Sequence, residues 1–193
     1  AYGGASENGT CATLHTMAVN GYGTASPDTR LELNFYTGRV EVDGKYVTLD
    51  DGTPLQYMPL AVEQNLTASK YIETAGARMK KYEVDRTAYS DGRMPDNDIV
   101  LYRYADVLLM KAEAKVRNGE SGDEQLNAVR SRAGMPSLAA TLANILDERL
   151  LELVWEGWRR QDMIRFGTYC APYDIHTPSA ADKKGYTIVF PIP

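Results

Sequence analysis

Residues 148–167, ERLLELVWEGWRRQDMIRFG, place Glu148, Glu152 and Glu156 at i, i+4 and i+8. That spacing stacks the three acids on one face of a helix. Arg149, Arg159, Arg160 and Arg165 supply opposite charge within a turn or so, so the stretch reads as a salt-bridged helix face. Glycoside hydrolysis needs two acids facing each other across a sugar at about 5–10 Å. Glutamates stacked on one helix point the same way, which disfavours that chemistry. Gly157, inside the helix, costs about 1 kcal/mol relative to alanine. With no side chain, it implies close approach of another backbone or a ring. Trp155 and Trp158 are three apart and read as packing anchors rather than a sugar platform. Arg159 and Asp162, also three apart, suit a buried or half-buried pair. The whole stretch is therefore expected to be a docking seam, with both tryptophans mainly buried.

The segments before it are helical too. DIVLYRYADVLLMKAEAKVRNG, residues 98–119, has a stripe of Leu101, Tyr104, Leu108, Ala112 and Val116. Asp98 is its expected N-cap and Gly119 its stop. SGDEQLNAVRSRAGMP, residues 121–136, opens with Ser121 and Glu124 at capping-box spacing and closes on Gly134 and Pro136. The short link between these helices predicts an antiparallel hairpin. A third helix begins near Thr141 and carries Ile145, Leu146, Leu150, Leu153 and Val154 into the opening stretch. Such hairpins stack in arrays, each burying its face against a neighbour. One hairpin and one long helix are too few to close an array, so Leu108, Leu109 and Ile145 are expected to present an apolar face to absent repeats.

Composition shifts near residue 96. Ten of the sixteen glycines and eight of the thirteen tyrosines fall in 1–96, which reads as loops and short strands. In VEVDGKYVTL, residues 40–49, Val40, Val42, Tyr46 and Val47 flank Asp43-Gly44, a pair suited to a type I′ turn. Asp51-Gly52 ends that strand. Residues 64–76 suggest a helix stopping at Gly76, and Asp96-Asn97-Asp98 reads as a helix cap rather than a calcium loop. GYTIVFPIP, residues 185–193, alternates like a strand, with Tyr186, Ile188, Phe190 and Ile192 on one face.

A net charge of -5 argues against a nucleic-acid partner, which needs a concentrated basic surface. No apolar run approaches the roughly 18 residues that span a bilayer. Cys11 and Cys170 stand at no metal-ligand spacing, and pairing and two unpaired thiols both remain open. His15 and His176 have no ligand-spaced partners, and no phosphate loop or serine elbow occurs, so neither cofactor nor metal is expected. Asn8 and Asn65 sit in glycosylation-type triplets. Both ends of the chain look cut, which suggests a piece of a longer protein.

Four ordered motifs over about ninety residues resemble the C-terminal part of the SusD/RagB family. They are RYADVLLMKAEA (103–114), LNAVRSRAGMP (126–136), the opening stretch, and the terminal FPIP. Upstream, SPDTRLELNF resembles the family's Asp-x-Arg segment through Asp28 and Arg30. Trp155 stands where the family more often has Phe, and Trp158 where His or Gln is common. The chain is less than half a usual member's length. The N-terminal repeats and the lipid-bearing cysteine have no counterpart, and Cys11 does not stand where that anchor would.

The resemblance implies a mainly α fold with loop-rich and short β segments and tetratricopeptide-like helical hairpins. It divides the chain into a loop- and hairpin-rich ligand-binding region, 1–96, and a helical-repeat scaffold, 97–193. It further implies a non-enzymatic lipoprotein on the outer face of the outer membrane, its lipid anchor outside this chain. Such a protein binds an oligosaccharide or other nutrient and hands it to a TonB-dependent transporter of the SusC type. The matching motifs are structural, so none carries a binding residue over. Sugar recognition needs aromatic faces and polar forks on loops, which directs attention to Tyr22, Tyr36, Tyr46 and Tyr57. The alternative is a helical-repeat module for protein–protein contact without a glycan ligand.

Overall fold

The computed structural model describes residues 10–62, 71–83, 85–87 and 96–190. The fold is mainly helical with short strands. Contacts divide the chain into two units, residues 1–13 with 32–101 and residues 14–31 with 102–193. Residues 14–31, expected with the loop-rich region, thus group with the helices, and the division falls at 101 rather than 96.

The helical unit begins with α1 (Leu14–Val19). Its main body is α3 (Tyr104–Arg117), α4 (Asp123–Arg132) and α5 (Leu142–Leu153). The short helix α2 (Leu31–Asn34) lies where the division falls. Leu109 and Ala112 of α3, Leu126 and Val129 of α4 and Ile145 of α5 form one buried cluster. Leu109 and Ile145 therefore face each other's helices and not solvent, which corrects the apolar face expected of them. The exposed large apolar residues of α3 are Tyr104, Val107 and Met110.

Helix ends follow turn chemistry in part. Gly119 and Gly134 stop α3 and α4 at φ +76° and +68°, a backbone region open to glycine. Thr141 caps α5 by accepting from the Asn144 amide at 3.1 Å. Asp98 caps nothing. Residues 98–103 are irregular, and α3 starts at Tyr104 after Arg103. Asn97 instead accepts from the Asp85 amide at 3.0 Å and donates to the Glu83 carbonyl at 2.9 Å, tying a loop of the other unit. The Ser121/Glu124 box does not form either, since α4 is capped by Gly122 without a side-chain bond. Gly122 is there because the chain is crowded: a Cβ would lie 2.7 Å from the Ala112 carbonyl oxygen.

The long terminal helix is two helices. α5 ends at Leu153, and α6 runs Arg159–Arg165. Between them Trp155 and Gly157 take φ +68° and +83°. Among the described residues, a Cβ on Gly157 would meet nothing within 4 Å, so the expected close neighbour is not found there and the glycine serves a left-handed turn. Trp155 and Trp158 are half-buried, not core rings. Trp158 packs on Tyr102 with ring centroids 5.4 Å apart. Asp162 is buried, but its partners are Arg149 and Arg165, while Arg159 donates to the Leu146 carbonyl at 3.1 Å.

After α6 come α7 (Ala180–Lys183), with a Ser179/Asp182 capping box, and a 3₁₀ turn, Tyr186–Ile188. The expected terminal strand is thus not formed at 186–188: Gly185, at φ +73°, turns the chain into the 3₁₀ turn instead. Residues 191–193 lie outside the described residues.

The first unit is built from short antiparallel ladders. β1 (Phe35–Tyr36) pairs with β6 (Arg78–Met79), and β2 (Gly38–Arg39) with β5 (Gln56–Tyr57). β3 (Glu41–Val42) and β4 (Lys45–Tyr46) form the hairpin expected at Asp43-Gly44, whose φ values are +51° and +75°. Ala12, Phe35, Val40, Ala75 and Ala77 are buried apolar residues of this unit. Residues 71–76 form turns rather than the end of a helix, and 63–70, where that helix and Asn65 were expected, lie outside the described residues, as does Asn8. Cys11 and Cys170 are free thiols.

Candidate binding surface

The carboxylates of α5 are the first chemistry to place. Glu148 accepts from Arg30 at 2.7 Å and from Arg130 at 2.6 Å. Glu152 accepts from Arg30 at 2.8 Å, from Arg103 at 2.5 Å and from Arg132 at 2.7 Å. Arg103 also spans both oxygens of Glu156, at 3.0 and 2.9 Å. The partners come from other elements and not from neighbouring turns of the same helix, as the i, i+4 spacing had suggested. Every oxygen of Glu148 and Glu152 accepts from arginine, and both side chains are buried. Arg30 is held by Asp28 as well, through Nε at 2.9 Å and Nη2 at 2.8 Å. Burial raises the Asp28 and Glu152 carboxyls, but the arginine bonds more than offset it and hold both below the ordinary carboxylate range. These groups are ionised locks, not a proton-transferring pair.

The loop-rich unit offers a different arrangement. Tyr36 stands opposite Arg78 on the β1–β6 ladder, and Tyr57 opposite Gly38 on β2–β5. Arg78 sits over the Tyr57 ring, 5.5 Å from its centroid, and Lys80 over Tyr36 at 5.7 Å. Arg39, the residue after Gly38 on β2, lies over the Tyr46 ring at 4.9 Å. Each of these three rings thus carries a cation on one face, at a distance where ring quadrupole and charge attract. Burial pushes the Tyr57 phenol up and the Tyr36 phenol adds to it, while the Arg78 charge opposes. Tyr57 therefore stays a neutral hydroxyl, able to donate and accept. Tyr36 and Tyr57 are half-buried and Tyr46 is 55% exposed.

Three of the four tyrosines singled out in the sequence thus stand on adjoining short ladders. Tyr22 does not; it follows α1 in the helical unit, its amide bonded to the Met17 carbonyl at 3.0 Å. Sequence reading missed Arg39, Arg78 and Lys80. The period-2 spacing of Arg78 and Lys80 was visible, but their partner strand was not. Among the described residues, no group of three metal-binding side chains converges, and no helix is long and apolar enough to cross a membrane.

The profile of the SusD family matches residues 15–190. The chain is 34% identical over 94 residues to the starch-binding protein SusD of Bacteroides thetaiotaomicron, covering 48% of this chain and 17% of that protein. It is 36% identical to SusD-like protein P38 of Formosa agariphila, over 36% of this chain and 17% of that protein. The match therefore spans about a sixth of each relative's length. On the extent of the profile match, the chain belongs to the SusD family.

Proposed function

We propose that this chain is part of a surface protein that binds glycans without transforming them, and that Tyr36, Tyr46 and Tyr57 form its contact surface. The observation that carries this reading is the set of three tyrosine rings on adjoining ladders, each with Arg or Lys over one face. Sugar rings stack their C–H faces on such aromatics, while guanidinium and ammonium groups donate to hydroxyls. The likeness to a starch-binding protein supports an oligosaccharide as ligand. In this reading the protein is lipid-anchored at the outer membrane, facing outward, and passes its glycan to a TonB-dependent transporter of the SusC type.

Calorimetric titration with starch oligosaccharides and a wider glycan panel tests this. Tyr36→Ala, Tyr46→Ala and Tyr57→Ala should each weaken binding, with losses of about 2 kcal/mol where a ring is a hot spot. Tyr22→Ala, on the other unit, should bind as the parent does. Normal binding by all three ladder variants would end the proposal.

A second reading, contact with a protein partner alone, is favoured by the outward face of α3. Tyr104 is 75% exposed, and Val107 and Met110 continue its stripe at three-residue spacing. Apolar residues lined up in this way mark interaction surfaces when they are contiguous. Tight transporter binding together with no carbohydrate hit would select this reading.

A further inference from the structure

The ladders that carry Tyr36 and Tyr57 have charge of one sign. β1, β2, β5 and β6, with residues 80–81 that follow β6, contain Arg39, Arg78, Lys80 and Lys81 and no Asp or Glu, in a chain of net charge -5. Acids nearby in sequence are engaged elsewhere. Asp43 and Glu83 both bind Arg86, at 3.2 and 2.8 Å, and Glu41 stands opposite Tyr46 on the third ladder. Glu32 meets Lys80 through its backbone carbonyl, at 2.8 Å. Lys80 forms no ion pair among the described residues.

Arg78 and Lys80 are placed to act together. Arg78 stands opposite Tyr36 on the β1–β6 ladder and lies over the Tyr57 ring, so one guanidinium links the two rings. Lys80, two residues on and exposed, lies over Tyr36. An ammonium has three protons to donate, and the Glu32 carbonyl takes one of them. Gly38 is the ladder partner of Tyr57, and among the described residues a Cβ there would meet nothing within 4 Å. The ladder thus leaves room for a sugar beside that ring.

A neutral sugar hydroxyl brings a proton as well as lone pairs. Arginine and lysine only donate, so they leave that proton to water or to the Tyr57 hydroxyl. A carboxylate or a sulfate brings lone pairs alone together with full charge, and so matches donors that are already positive. We infer that the glycan taken at Tyr36 and Tyr57 is acidic, an inference that rests on the glycan reading above. Its carboxylate or sulfate is held by Lys80 and Arg78, while a sugar face stacks on a ring. Uronic acids and sulfated sugars share this chemistry and differ in the anion they carry.

The test uses the full chain and two matched probe pairs, followed by calorimetry at low salt. One pair is trigalacturonate and its methyl ester, the other sulfated maltotriose and maltotriose. At least one acidic probe should bind about tenfold or more tighter than its neutral counterpart, the effect of one charge-assisted bond, and the pair with the larger ratio identifies the anion. Added salt should narrow that ratio, because exposed charges are screened. Lys80→Gln should cut the ratio about fivefold or more, and Lys80→Arg should keep it. A merely structural role for Lys80 would weaken both members of a pair alike. Neutral probes that bind as tightly as acidic ones overturn the inference and leave the glycan reading in place, as does an unchanged ratio in Lys80→Gln. Binding of neither acidic probe by the folded chain also overturns it, and the glycan reading is then decided separately by the wider panel and the ladder tyrosine variants.

Discussion

Arg149 donates from Nη1 to Asp106 Oδ1 at 2.7 Å, joining α5 to α3 where both side chains are 1% exposed. Its Nε lies 2.9 Å from Asp162 Oδ2 on α6, so one guanidinium holds three helices. Removing one member of a buried charge group leaves the others without compensation, typically at about 3–5 kcal/mol. Arg149→Met should lose stability of that order in urea unfolding. Arg149→Lys should recover little, because a point charge cannot reach both carboxylates as a planar fork does. A loss below about 1 kcal/mol would show the pair to be dispensable.

The ionised locks also set the acid limit. Glu152 and Asp28 have folded-state values below ordinary carboxylates, which in the unfolded chain titrate near about 4. Where the folded value is lowered, the unfolded chain takes up protons first. Stability from these groups is therefore complete above that range and is lost as pH falls through the folded values. The melting temperature should begin to drop below about pH 5 and keep falling as the pH approaches the lowered folded values. In Glu152→Gln the starting value should be lower and the drop shallower. An equal drop in parent and variant would assign acid sensitivity elsewhere.

Two glycines with different roles give a paired prediction. Gly157 sits at φ +83° in open space, so Gly157→Ala should cost only the left-handed backbone term, about 1–2 kcal/mol. At Gly122 a Cβ would press on Ala112 backbone atoms at 2.7 and 3.0 Å. Backbone cannot step aside as a flexible side chain can, so Gly122→Ala should cost more than Gly157→Ala. Denaturant midpoints of the two variants decide the order.

These two residues also show what sequence reading delivers. Helix stops at Gly119 and Gly134, the helix start near Thr141 and the Asp43-Gly44 turn are legible because each depends on a few neighbouring residues. Gly157 stands out as anomalous in a helix, but its neighbours in sequence do not reveal the left-handed turn it serves. Apolar periodicity runs through 148–167, and nothing local shows that Trp155 also leaves helical φ. The partners of Glu148 and Glu152 were hidden for a related reason. Arg30 lies 118 residues from Glu148, and only the fold brings them together. The tyrosines stood out by composition, whereas their cations depended on which two-residue strands pair.

The hairpin that displays Tyr46 gives the last prediction. Asp43 and Gly44 occupy left-handed φ values, as a two-residue turn of this hand requires. The turn sets the register Glu41↔Tyr46 and Val42↔Lys45, and Val47 then donates to the Val40 carbonyl at 3.0 Å. A slip of one residue would carry Tyr46 to the opposite face and away from Arg39. Gly44→Val, a β-branched residue forced to positive φ, should cost about 1–2 kcal/mol locally and speed hydrogen exchange at the Val47 amide. Asp43→Asn should be tolerated, since Asn-Gly suits the same turn. It weakens the exposed Asp43–Arg86 pair, whose value is about 0–1 kcal/mol. If Tyr46 contributes to glycan binding, Gly44→Val should weaken it and Asp43→Asn should not. Matched calorimetry and exchange on the two variants would separate a register effect from loss of the ring itself, because Tyr46→Ala should leave Val47 exchange near that of the parent.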